Sequence, residues 1–467
     1  MYVISPSEAA RLRLQVRLSR SGSRLRFEIN SKDFHLNFDD QRYCHLPEIK
    51  FVRLSGLFYS CRFHLYESFV ISQPLLLHNP SGYAEGMKRE PLEIETLVLR
   101  WTGMLPKREK DYFYKIYSYF IFSMVATSWY LDVYMILEDV ENTTTFVENF
   151  TIGTALLIGS IKIAVTYHTR HKLRDSFLQL TRNNFCADDK EEQKLQDRYT
   201  SIMNIQARVC YFTPFVYMVF ANTPCVHQRL TSTNSSHWIL PFGAFPLFDT
   251  TTSPNYEIAL IYQNLLNFVT FICYMAIVVA ICGTVITLTL HCKIIQHRIK
   301  TCIKRSTGKG APQLRRNLKE IIKYHVWLNE VAKEFTRRFS STLLVDFCGL
   351  SIIIASCTFY VMLIQEFNFK FAQMFTLTNT AITIEFVVCY WGSELINESL
   401  AIGDTCFEIE FVGQDLHFQK MLRFIIQRAR TPVALTVGGF SPLTMRTFLL
   451  VMKGAYSFFM FLGRERK

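Results

Sequence analysis

The chain has 467 residues, 49% hydrophobic and 14% aromatic, with 40 Phe and 22 Tyr, and a formal net charge of +12. A basic surplus can mark a nucleic-acid partner, but here the Lys and Arg residues flank apolar spans, the pattern of the cytoplasmic side of a membrane protein, which excludes nucleic acid as the expected partner. The 13 Cys fall mostly inside apolar spans or in basic loops, which excludes a disulfide framework.

Residues 1–86 read as a poorly structured basic extension. No apolar run follows the stretch from Arg11 to Arg26, so no signal peptide is expected. The longest apolar run there, Phe69–Leu77, is broken by Pro74 and is too short to span a bilayer. Residues 87–467 make the second predicted domain. It opens with MKREPLEIETLVLRWTGMLP, a short amphipathic helix followed by a Gly-x-apolar-Pro turn.

Seven further segments are apolar over the about 20 residues a helix needs to cross a bilayer. They lie near Ile116–Leu137, Val147–Tyr167, Ile205–Thr223, Ile258–Leu290, Ser340–Leu363, Phe375–Leu395 and Leu443–Leu462. The expected fold class is all-α, a seven-helix membrane protein. The first loop holds Glu138, Asp139, Glu141 and Glu148 and no Lys or Arg; the fourth holds Lys293, Arg298, Lys300, Lys304, Arg305, Lys309, Arg315, Arg316, Lys319 and Lys323. The positive-inside bias therefore predicts a cytoplasmic N-terminus and an extracellular C-terminus, the reverse of a G-protein-coupled receptor. Glycosylation is expected in the outer loops at Asn142 and Asn234; Asn149 sits at the membrane edge and is the poorer acceptor.

Beyond the flexible break at Gly308–Pro312, the residues Leu314, Leu318, Ile321, His325, Leu328, Ala332, Phe335 and Phe339 recur three or four apart. This is one helical stripe running into the fifth span, and an apolar stripe that projects into the cytosol needs a partner. His325 on it reads as a core histidine; no second ligand recurs at helical spacing, so no metal is expected. Charges within spans are costly, roughly 2.5–3.5 kcal/mol at mid-membrane, and mark function by default. Lys162 is expected to snorkel to the inner surface, Glu385 to face the bundle or water, and Lys453 to face a neighbouring helix or a hydrated fork. No phosphate loop, zinc spacing or nucleophile elbow is present, so neither an enzyme nor a cofactor is expected.

The C-terminal block from Cys389 to Arg464 carries the most specific pattern. It contains Cys389-Tyr-x-Gly392, a helix with Ser399, Arg428-x-x-x-Pro432 followed by alternating apolar residues, the Thr447-Phe448 pair and Lys453-x-x-Tyr-Ser457. This block resembles the C-terminal signature of insect odorant receptors, and the resemblance extends back to Met87 in layout. Residues 1–86 match nothing in that pattern, which leaves two readings open: a gene-model extension ahead of the usual start, or a disordered basic tail. Gustatory receptors share the fold, but the Gln of their last span has no counterpart in Thr447–Ala455. A transporter would show internal repeats, and none is found.

The resemblance implies a ligand-gated, non-selective cation channel in the plasma membrane of olfactory sensory neurons. The chain would be the ligand-tuning subunit, a hetero-oligomer with the shared co-receptor and by resemblance a tetramer. It implies a small volatile odorant held in the outer half of the bundle. The residues expected there are Phe150, Thr154, Phe212, Phe215, Met218, Tyr262, Phe268, Thr380 and Thr383. It also implies that the seventh span surrounds the pore. Helical spacing then groups Val451, Ala455 and Phe459 as one pore-lining face, with the opposite choice through Phe448 and Met452 almost as good.

Overall fold

The computed structural model describes residues 17–21, 24–28, 92–106, 112–138, 143–181, 189–232, 238–243, 245, 248–306, 310–363 and 368–464. Met1–Pro80 forms a unit of its own, in which β1 (Arg17–Ser21) pairs antiparallel with β2 (Arg24–Glu28). The rest of the expected basic extension, and the sequons at Asn142 and Asn234, lie outside the described residues.

The second unit, Ser81–Lys467, is helical. In chain order its helices are α1 (Glu93–Trp101), α2 (Tyr112–Glu138), α3 (Thr143–Thr181), α4 (Lys190–Thr231), α5 (Asn255–Ser306), α6 (Gly310–Leu363), α7 (Phe369–Thr405), α8 (Leu416–Ala429) and α9 (Met445–Arg464). Helices α2 to α7 are each long and apolar enough to cross a membrane. Helix α9 is the seventh; its 20 residues rise about 30 Å, the thickness of the hydrocarbon core.

Several helices overrun the spans predicted for them because their ends are capped further out. Asp189 starts α4 by accepting from the backbone N–H of Glu191 (2.6 Å) and Glu192 (3.3 Å). Asn368 starts α7 by accepting from Phe371 N–H at 2.9 Å. Much of what reads as the fourth loop is thus helix, with α5 ending at Ser306 and α6 beginning at Gly310. Within the spans, hydroxyls turn onto their own helix: Thr284, Thr287, Thr289, Thr358 and Thr378 each donate to the carbonyl four residues back. That satisfies a polar side chain where no water is available.

Helix α5 is the centre. Met275 to Cys292 is buried on every face, as a helix surrounded by others must be. Helix α3 packs on α6, α7 on α5, and α4 on both α5 and α7. The Asn222–Asn264 amide pair (2.7 and 2.8 Å) ties α4 to α5.

All eight residues of the α6 stripe are buried. Their partner is the same chain: Phe335 meets Phe177 of α3 edge-on at 5.8 Å, and beside the stripe Tyr324 reaches His291 of α5 at 2.5 Å. Burial beside Arg428 pushes His325 down to about 4, so it is neutral. After α8 the chain turns through a hairpin with a three-residue loop, β3 (Thr436–Val437) pairing with β4 (Ser441–Pro442), in which Gly438 and Gly439 both have positive φ. Helix α9 then lies against α6 and α7.

Candidate ligand cavity

Between α3, α4, α5, α6 and α7 lies an apolar cavity. Its walls include Gly159, Tyr217, Phe271, Tyr274, Leu350 and Ala381. The free space is about 50 Å³, room for a few waters. Small side chains make the room: a Cβ built on Gly159 would rest 3.8 Å from the Tyr274 ring.

The polar groups on the wall are nearly all committed. Thr270 donates to Leu266 O (2.9 Å) and Thr380 to Thr376 O (2.9 Å). The Tyr217 hydroxyl accepts from Gln373 Nε2 at 3.2 Å. Tyr274 is different: among the described residues its hydroxyl has no hydrogen-bond partner. One face of its ring carries the Lys162 ammonium, 4.1 Å from the centroid. Lys162 does not snorkel as expected. It is fully buried because Asp346 of α6 offers a carboxylate 2.8 Å away. Glu385 of α7 faces the bundle, 1% exposed, within electrostatic reach of both. Lys453 is exposed on α9.

Of the residues expected to contact ligand, Thr380 lines this cavity. Phe150, Phe212, Phe215 and Phe268 are exposed on the outside of the bundle, and Tyr262 is 36% exposed. Thr154, Met218 and Thr383 are partly exposed and outside the cavity wall. The cavity draws on the same helices as the residues expected from the sequence, but mostly on other faces of them. On α4 the cavity takes Pro214 and Tyr217 in place of Phe212 and Phe215; on α5 it takes Phe271 and Tyr274 in place of Phe268. A helix apolar all round gives no periodicity to choose by.

Helix α9 shows the same effect. Ala455 and Phe459 are buried, together with Phe448, against the chain's own bundle. Val451 is at the edge of that face. The face left open runs opposite, through Leu450, Gly454, Ser457 and Phe461. Asn149, the poorer glycosylation acceptor, is buried.

Away from the cavity, Asp189, Glu192 and His297 bring ligand atoms within 4.8 Å of one another. Guanidinium groups already stand where a cation would: Arg298 pairs with Glu192 (2.8 Å) and Arg305 with Asp189 (2.6 Å). The cluster ties the start of α4 to the end of α5.

A bundle of membrane-spanning helices, five of them around an apolar cavity, defines a multi-pass membrane protein. The chain belongs to the 7tm odorant receptor family, whose profile matches residues 142–456. It is similar to the putative odorant receptor 92a of Drosophila melanogaster, 25% identical over 196 residues, 41% of this chain and 46% of that one. It is also similar to odorant receptor Or2 of Anopheles gambiae, 24% identical over 234 residues, 48% of this chain and 61% of that one. The chain thus spans about half to three fifths of the length of these curated relatives. Among solved structures, the insect olfactory receptor OR5 from Machilis hrabei in complex with eugenol shares the fold, with a TM-score of 0.68 at 16% identity over 80% of this chain and 97% of that one.

Proposed function

We propose that the chain is the ligand-tuning subunit of an odorant-gated, non-selective cation channel. It acts as a hetero-oligomer, a tetramer, with a shared co-receptor in the plasma membrane of olfactory sensory neurons. The observation that carries the ligand reading is the cavity wall: apolar almost throughout, with its threonines bonded to their own backbone. Such a wall has little to offer a charged or multiply polar molecule and suits a small, mostly apolar one. Tyr274 supplies one free hydroxyl for a ligand's single acceptor. The complex of a family neighbour with eugenol agrees with that chemistry.

The orientation proposed is N-terminus inside and C-terminus outside. Its support is the basic clustering around the end of α5 and the start of α6, against the acidic residues Glu148, Asp249 and Glu257 at the other end. The open face of α9, through Leu450, Gly454, Ser457 and Phe461, is the one proposed to line the ion path, in place of Val451, Ala455 and Phe459. The cavity is smaller than an odorant, so binding must select a bundle with its walls further apart. A ligand that binds that state better shifts the equilibrium toward it, and the proposal identifies it with the open channel.

The test is whole-cell current in cells expressing the chain with and without an insect co-receptor, under a broad panel of volatiles. A fast cation current that needs both proteins and survives G-protein block supports the reading. A response that needs no co-receptor and disappears under G-protein block would overturn it.

A further inference from the structure

A second cavity, about 480 Å³, opens where α6 enters its predicted span near Ser340. Its wall carries three cations, Lys333, Arg337 and Arg428, and four hydroxyls, on Thr336, Ser340, Ser341 and Thr436. No carboxylate lines it. Lys333 and Arg337 are four residues apart, so they share one face of α6, and both are exposed. Among the described residues neither makes an ion pair. The adjacent Arg338 does, with Glu334 at 2.8 Å.

Arg428 is fixed rather than free. Its guanidinium donates to Asn329 Oδ1 (2.6 Å), to Thr431 O (3.0 Å) and to the Thr431 hydroxyl. All three acceptors are neutral, so the group is oriented while its charge stays uncompensated. The opposite wall is also held: Val433 N–H donates to Ser399 Oγ at 2.9 Å, and Thr336 Oγ1 donates to Ala332 O at 2.8 Å, with a longer approach to Ala434 O at 3.3 Å. The hydroxyls of Ser340 and Ser341 have no partner among the described residues. A rigid, roomy, purely cationic pocket at the level where an apolar helix becomes a basic one matches a phosphate group set on an acyl anchor.

We propose that this cavity is the headgroup site of an anionic, phosphate-bearing lipid of the cytoplasmic leaflet. Lys333, Arg337 and Arg428 hold the phosphate, and the Ser340 and Ser341 hydroxyls complete its hydrogen bonds. The leaflet rests on the orientation proposed above; the pocket itself does not.

The test is binding of fluorescent short-chain phosphatidylinositol bisphosphate to the purified full-length chain in detergent, with lipid-induced thermal stabilisation as a second readout. The double variant K333A/R337A should bind at least about tenfold more weakly, the order expected for losing two Lys/Arg contacts to an anionic headgroup. K333R/R337K should retain binding. R316A/K319A, two exposed cations on the same helix outside the cavity, should stay within about twofold, as expected where no contact is lost. Equal weakening by both alanine pairs, or competition by short-chain phosphatidylcholine, overturns the site. Displacement by inositol trisphosphate at the same concentration as the lipid overturns the lipid assignment in favour of a soluble phosphate. Orientation is read separately, by antibody access to an N-terminal tag on intact cells. Access there, with tight lipid binding, would overturn the orientation and the leaflet and leave the pocket standing.

Discussion

Lys162 of α3 and Asp346 of α6 meet at 2.8 Å in the middle of the bundle, with side chains 0% and 8% exposed. The ammonium approaches off the line of a hydrogen bond, so the contact is held by charge and by the Tyr274 ring. With Glu385 close by, one cation serves two carboxylates from two other helices.

Removing that cation leaves two buried acids without a counter-charge. Lys162→Met should cost about 3–5 kcal/mol, and the triple change K162M/D346L/E385Q should recover most of it, because no unpaired charge then remains among α3, α6 and α7. Thermal unfolding of the solubilised protein, followed by gel filtration, reads both. A K162M protein that melts with wild type would refute the account.

Tyr274 offers the cavity its free hydroxyl. Y274F should weaken the response to odorants carrying one hydrogen-bond acceptor by about three- to tenfold, the net worth of one such bond, and leave hydrocarbons unchanged. T380V should change neither, because the Thr380 hydroxyl is already spent on Thr376. Concentration–response curves at matched surface expression decide it.

Cavity size should tune selectivity. Ala381→Leu adds bulk to a space of about 50 Å³. Sensitivity to the larger agonists should fall by about tenfold or more, as adding or removing one methylene in an apolar pocket does. Equal loss across small and large agonists would point to misfolding instead of filling.

Asp189 predicts a pH dependence. His297 first, then Arg305 and the amides of Glu191 and Glu192, hold its carboxyl well below the usual range. A depressed folded pKa contributes stability that is present above the unfolded value, about 3.9, and is lost as pH falls through the folded value. D189N should therefore melt below wild type at neutral pH, and the gap should close as the buffer is taken below about pH 4. A gap that widens in acid would contradict the assignment.

Two glycines make opposite predictions. A Cβ at Gly392 would collide with the Leu443 backbone, so G392A should cost about 1–3 kcal/mol and reduce surface expression. Gly454 on α9 meets nothing within 4 Å, so G454A should leave the subunit intact and gain up to about 1 kcal/mol of helix propensity. Normal expression of G454A with altered current would show that this face works only in the assembly.

The helices were legible in the sequence because each needs about 20 apolar residues and each is bounded by charge. The α6 stripe was legible too, from periodicity alone. What covers it was not: Phe177 of α3 and His291 of α5 come from parts of the same chain far away in sequence. Lys162 was misjudged because a lone charge reads as a snorkel until Asp346, 184 positions away in the chain, is seen beside it. The cavity-facing side of α4 and α5 had no signature, since Phe212 and Phe215 are as apolar as Pro214 and Tyr217.

Helix α6 runs without a break from Gly310 to Leu363, passing the cavity at Leu350 and Ile353 and the basic pocket at Lys333. Its 54 residues make a rod about 80 Å long. A rod pivoting near Leu350 has one short arm and one long arm. A tilt of about 5° would carry the end near Leu314, some 54 Å away, through about 5 Å, with no hinge to absorb it. A ligand seated as proposed, too small to displace more than a side chain or two, would work against the short arm of a lever.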